Sequence, residues 1–212
     1  MLDAYYKWGA MSDKRKVGNL LGLAVLSYLT RAPMHPYELS RTLRENDDAR
    51  SIKFNHGSLY MVVQQLAKAG FVVEQETTRD GLRPERTVYA ITGTGRQELR
   101  EWMRQLVEEP HYEYSHFVAA LSLIAALPPN EVVELLEKRL QRLAEQQAEI
   151  RTLIDDALAA DLHPLFLVEE EYRLALGDAE ISFVQGFIER ITHPDTGWGK
   201  LWAQFHTSAP TV

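Results

Sequence analysis

The chain has 212 residues, 45% hydrophobic and 25% charged, enough to bury a core as one large domain or two small ones. It has no cysteine, which excludes disulfides and thiolate metal centres. The net charge of −7 hides an asymmetry: residues 1–107 carry 16 Lys and Arg against 12 Asp and Glu, residues 108–212 only 7 against 18, and a basic first half suits a polyanionic partner.

Residues 1–16 form an N-terminal extension with Tyr5, Tyr6 and Trp8 ahead of Lys14-Arg15-Lys16. That cluster resembles the basic start of a signal peptide, but no small-residue cleavage site follows. The apolar run Leu20–Leu29 is too short to span a bilayer. A cytoplasmic protein with no membrane partner is expected.

A first helix is predicted over about residues 17–29, with Val17, Leu20, Leu21, Ala24, Val25 and Tyr28 on one side, broken at Arg31-Ala32-Pro33. A second starts at Pro36, where the missing N–H is harmless, and runs to about Asn46. The third is the most informative. Asn55 is positioned as its N-cap, Gly70 as its stop, and Leu59, Val62, Val63 and Leu66 make one apolar stripe. Off that stripe lie His56, Ser58, Tyr60, Gln64, Gln65 and Lys68, side chains able to bond base edges and phosphates. After Gly70 the period changes to two over residues 71–76 and again over 86–91. Asp80-Gly81 and Arg83-Pro84 mark the loop between them. Thr92 then caps a helix to about Glu108, with Leu99, Met103 and Leu106 in register. Three helices followed by a hairpin make a winged helix-turn-helix over residues 17–108, whose third helix enters the major groove and whose hairpin is the wing.

The second half reads as a helical dimerisation domain over residues 115–191. Ser115 to Leu127 is a short helix ended by Pro128-Pro129, and Asn130 caps a long one to about Ala160. There Leu136, Leu140, Leu143, Gln147, Ile150, Ile154 and Ala157 alternate spacings of four and three, a coiled-coil seam with one polar member. His163-Pro164 precedes a last helix over about residues 165–191, apolar on more than one side and therefore covered by more than one neighbour. Residues 192–212, with Trp198 and Trp202, form a tail without clear periodicity. The expected fold is thus mainly α with a small β-wing, an N-terminal winged helix-turn-helix followed by a long-helix dimerisation domain.

The first half resembles the PadR family of bacterial transcriptional regulators. The resemblance is carried by Leu21-Gly22-Leu23, Met34-His35-Pro36-Tyr37-Glu38-Leu39, His56-Gly57-Ser58-Leu59-Tyr60 with Leu66 and Gly70, Arg83-Pro84, Tyr89, and Ile91-Thr92 followed by Gly95-Arg96. The second half is similar in pattern to the C-terminal dimerisation domain of longer members. Pro36 stands where the family usually has Gly, Val62 where Pro or Ala is common, and Asp80-Gly81-Leu82-Arg83-Pro84 where Gly-Gly-Arg-Pro is common.

The resemblance implies a dimeric, sequence-specific DNA-binding regulator, a repressor on an inverted-repeat operator. His56, Gly57 and Ser58 open the recognition helix, where His56 and Ser58 meet phosphates, and Tyr60 and Gln64 face base edges, with Lys68 on the same outer side. Tyr37 takes a phosphate, and Arg83 and Arg86 place cations beside the duplex. Leu136, Leu140, Leu143, Ile150 and Ile154 with Tyr172, Leu176 and Phe183 supply the dimer interface. The resemblance further implies a small aromatic or hydrophobic effector, phenolic acids and hydrophobic drugs being the family's effector classes. Trp102, His111, Tyr112, Tyr114, His116 and Phe117 are the candidate lining. The alternative is a winged-helix protein-interaction module without DNA. No catalytic motif, cofactor loop or metal-ligand spacing is present: Glu169-Glu170-Glu171 reads as a solvated helix face, and His111, Glu113 and His116 match no ligand pattern, so no enzyme is expected.

Overall fold

α1 (Leu20–Leu29) starts three residues later than the apolar pattern predicts, because the Asn19 side chain accepts the Leu21 N–H and caps it there. The structure is a computed structural model that describes residues 15–46, 48–76, 87–111, 113 and 115–207. The chain divides into two compact units, residues 1–113 and 114–212.

In the first unit α2 (Pro36–Glu45) is capped by an imidazole. His35 Nδ1 accepts the Tyr37 N–H at 3.0 Å while the Glu38 carboxylate accepts the His35 N–H at 3.1 Å, a capping box with histidine in the serine role. α3 (His56–Lys68) follows on Asn55 and stops ahead of Gly70, which has φ +80°. β1 (Val72–Glu76) and β2 (Thr87–Ile91) pair antiparallel, Val72 opposite Ile91. An unforeseen rung joins Met34 to Tyr89 through two backbone bonds of 3.0 Å, tying the start of α2 to the base of the hairpin. α4 (Gly93–Glu108) begins on Thr92, whose hydroxyl accepts the Gly95 N–H and donates to the Gly70 and Phe71 carbonyls.

One core unites these elements. Leu21, Val25, Leu26 and Leu29 of α1 meet Leu39 and Leu43 of α2, the Leu59, Val62, Val63 and Leu66 stripe of α3, and Phe71, Val72, Tyr89 and Ile91. α4 departs from its expected register. Met103 is 45% exposed, and the buried positions are Gly95 and Trp102. Leu99 still packs on the core, as expected, while the Arg15 guanidinium lies 5.4 Å over the Trp102 ring and bonds Glu98 and Gln105.

Tyr28 closes the other end of α1 by donating to the Asp48 carboxylate while accepting from Asn46. Burial first, and then the bond to Asp48, push its hydroxyl above the usual tyrosine range. With the folded value raised, its contribution is complete below about pH 10 and is lost as pH rises through the folded value. Tyr28→Phe is expected to flatten the alkaline fall of stability, measured by urea unfolding between roughly pH 9 and 11.5. An alkaline limb as steep as wild type's would remove Tyr28 from it.

In the second unit α5 (His116–Ser122) passes through a 3-10 turn at Ile124–Ala126 into α6 (Pro129–Ala159). The cap of α6 is Pro128 rather than Asn130: Pro129 at the first helical position needs no partner for a missing N–H. α6 and α7 (Val168–Thr192) pack as an antiparallel pair, as the crossing bonds show: Arg139 to Glu180, Gln147 to Asp178 and the Leu174 carbonyl, Arg151 to Asp178. Gln147 is buried in that seam, with its side chain where a Cβ on Gly177 would have to lie. The final stretch is not featureless: α8 (Gly199–Thr207) puts Trp202 into a core with Val132, Leu136, Val184, Phe187 and Ile191. A Trp ring buries enough apolar area to hold a helix too short to be read from periodicity.

Candidate nucleic-acid interface

α3 is anchored from within and open on the outside. Its stripe of Leu59, Val62, Val63 and Leu66 is buried, and His56, Gly57, Met61, Gln64, Gln65 and Lys68 are exposed. Its first turn is organised by Asn55, whose Oδ1 accepts the Ser58 N–H at 2.8 Å. Ser58 answers with its Oγ, which accepts the Asn55 N–H and donates to the Asn55 carbonyl. Ser58, expected to meet a phosphate, is thus also a member of the cap. The His56 and Gly57 N–H groups precede the first intrahelical bond and point out of the helix start beside the positive end of the dipole.

Tyr60 lies between two imidazoles, edge-on to His56 at 4.9 Å and to His35 at 6.3 Å between ring centres. Both spacings suit edge-to-face aromatic pairs and restrict the phenol's orientation. His35, from the α2 cap, thus bears on the outer face of α3. Gln64 and Lys68 follow at one-turn intervals beyond Tyr60, all exposed or half-buried. Met61, 56% exposed beside Tyr60, belongs to the same face and was missed in the sequence. The signal was there, since it neighbours the Gln64 and Gln65 side, but an apolar residue was not counted among polar ones. A methionine there can meet a thymine methyl.

α2 contributes the flank. Tyr37 is 57% exposed, and a cleft of about 140 Å³ is lined by Tyr37, Ser40, Arg41, Arg44 and Glu45 of α2 with His56 of α3. Ser40, Arg41 and Arg44 carried no sequence expectation. Arg83 and Arg86 lie outside the described residues, as do Tyr112 and Tyr114 of the effector set.

The other candidates are divided between the two units. Trp102 is buried under Arg15 in the first unit, and His111 is exposed. In the second unit His116 is exposed, and Phe117 is half-buried with the Arg139 guanidinium 3.7 Å over its ring. Leu136 is fully committed to the core of its own unit, and Leu140, Leu143, Ile150 and Ile154 are half-buried on the seam between α6 and α7. That corrects the expected use of the seam: the loop at residues 160–167 returns α7 antiparallel onto it, so its first partner is this same chain. On α7, Tyr172, Leu176 and Phe183 stay 65%, 53% and 42% exposed. Among the described residues no helix is long and apolar enough to cross a membrane, and no three His, Asp or Glu side chains are placed to hold a metal ion.

Comparison with known proteins matches residues 25–101 to the transcriptional regulator PadR-like family. The negative transcriptional regulator PadR of Bacillus subtilis (strain 168) is 22% identical over 141 residues, 66% of this chain and 76% of that protein. Among solved structures, Bacillus subtilis PadR in complex with operator DNA is similar at TM-score 0.62 and 20% identity, covering 80% of this chain and 98% of that one. The same protein in complex with p-coumaric acid is similar at TM-score 0.63 and 18% identity, covering 80% and 97%. At these identities the likeness establishes the fold.

Proposed function

We propose that this chain, a PadR-like transcriptional regulator by its domain over residues 25–101, acts in the cytoplasm as a dimeric repressor that reads an inverted-repeat operator. The observation that carries the reading is the outer side of α3. A capped helix start with outward N–H groups leads into Tyr60, Gln64 and Lys68, on a helix whose inner side is locked into the core. Backbone N–H groups, His56 and Tyr37 contact phosphates, while Tyr60, Met61 and Gln64 contact base edges. Lys68, Arg83 and Arg86 supply charge along the flanks.

The exposed Tyr172, Leu176 and Phe183 form the centre of the dimer surface, because rings and leucines left in water on one helix are covered at low cost by their own symmetry mates. A monomer at micromolar concentration in sedimentation would overturn this arrangement. Release by a small aromatic effector extends the reading, supported by the p-coumaric acid complex of the similar Bacillus subtilis protein. Titrating p-coumaric acid into a preformed protein–DNA complex tests it, and a complex unchanged at millimolar acid would exclude that ligand.

Selection of bound sequences from a random duplex library, at stated salt, decides the main reading. An enriched inverted repeat is the expected result. Binding without an enriched motif, or no binding, would overturn sequence-specific regulation.

A further inference from the structure

His35 is held from three directions before its ring reaches α3. The backbone of Met34, the residue ahead of it, exchanges two hydrogen bonds with Tyr89 at the base of the hairpin. The His35 N–H donates to the Glu38 carboxylate, and its Nδ1 accepts the Tyr37 N–H. Pro36 has no N–H, so that of Tyr37 is the first that α2 offers, and accepting it fixes how the imidazole is turned. With Nδ1 as acceptor, the proton of the neutral ring sits on Nε2. A cap alone does not call for a ring. Asn, Asp and Ser are preferred at such positions, and α1, α3 and α4 of the same unit begin on Asn19, Asn55 and Thr92.

The ring has a second neighbour. Tyr60, half-buried on the outer side of α3, meets it edge-on at 6.3 Å, with 77° between the planes. His56, the other ring on Tyr60, lies four residues back on the same helix, so it moves with Tyr60 and does not locate it against the rest of the unit. Among the described residues His35 is the one ring from another element that meets Tyr60. An edge-to-face pair restricts both torsions of a phenol and makes no use of its hydroxyl, which stays available to a partner. We propose that His35 is a positioning residue for base recognition: it acts through Tyr60, holding the phenol where it meets a base edge, so the base preference at that position depends on His35. The inference rests on the DNA-binding reading. It also joins the base of the hairpin to the outer side of α3, because Tyr89, Met34, His35 and Tyr60 touch in series.

The test separates the ring from the cap. His35→Asn keeps a side chain that caps well and removes the ring, whereas His35→Ala removes both. Each is made in the wild-type and Tyr60→Ala backgrounds, with melting temperature, affinity for the selected duplex across a salt series, and base preference measured. His35→Asn is expected to melt near wild type and to bind the duplex roughly threefold to tenfold more weakly. Its preference should relax at one position per half-site, and its salt slope should match wild type's, because no phosphate contact is lost. In the Tyr60→Ala background the same change should cost no further affinity, since residues that act through one another are not additive. Wild-type affinity and preference in His35→Asn would overturn the proposal. So would an equal loss in the Tyr60→Ala background, or a fall in melting temperature as large as that of His35→Ala, either of which would assign His35 to the fold alone. A wild type that binds no duplex would overturn the DNA reading and this role with it, whereas specific binding that His35→Asn leaves intact would overturn this role only.

Discussion

Gly95→Ala is expected to cost the first unit about 3 kcal/mol or more. A Cβ at position 95 would stand 2.0 Å from the Phe71 carbonyl oxygen and 2.9 Å from Ile91 Cγ1. Relief by movement of Phe71 is blocked, because its carbonyl accepts both the Thr92 N–H and the Thr92 hydroxyl. The clash therefore propagates into the cap of α4 and the base of the hairpin together. Gly93→Ala is the control: it is in the same first turn with nothing within 4 Å of its Cβ, and should change stability by less than about 1 kcal/mol. Urea unfolding of both variants gives the comparison, and a Gly95→Ala protein as stable as Gly93→Ala would contradict the packing described.

The second large effect separates folding from recognition. At Gly57 an added Cβ meets only Asn55 Oδ1, at an ordinary 3.5 Å, so the fold does not require glycine there. Glycine inside a helix is less favourable than alanine by roughly 0.5–1 kcal/mol. Gly57→Ala should therefore melt at or slightly above the wild-type temperature. On DNA the sign reverses. The methyl group would hold a phosphate away from the outward His56 and Gly57 N–H groups, and hydrogen bonds to charged acceptors contribute about 1.5–3 kcal/mol each. A loss of about tenfold or more, and of more than about a hundredfold if both bonds go, is expected by fluorescence anisotropy on the selected duplex. Unchanged affinity would mean that no phosphate approaches the start of α3.

The recognition helix was legible because its signals are local. Asn55, the four-residue stripe and Gly70 sit within sixteen consecutive residues, and each obeys a rule about backbone bonds one or two turns away. α4 shows where that reasoning stops. Leu99, Trp102, Met103 and Leu106 offer two overlapping apolar stripes, and packing against α1 with the Arg15 contact to Trp102, both distant in sequence, goes with the one through Trp102. Ser58 illustrates the same limit inside a single turn. Its hydroxyl could face outward or cap the helix, and the geometry of Asn55 chose the cap.

By itself, then, the sequence determined the kind and order of the elements from α1 to α7, the caps of α3 and α4, and the side of α3 left free, since all of these follow from periodicity and short-range hydrogen bonding. Tertiary structure decided which competing surface each side chain serves. It turned the α6 seam onto α7 of the same chain, recruited Trp202 to hold α8, and brought Ser40, Arg41 and Arg44 against the start of α3. Those outcomes depend on which elements reach one another first across connecting loops, and no local pattern of residues encodes that competition.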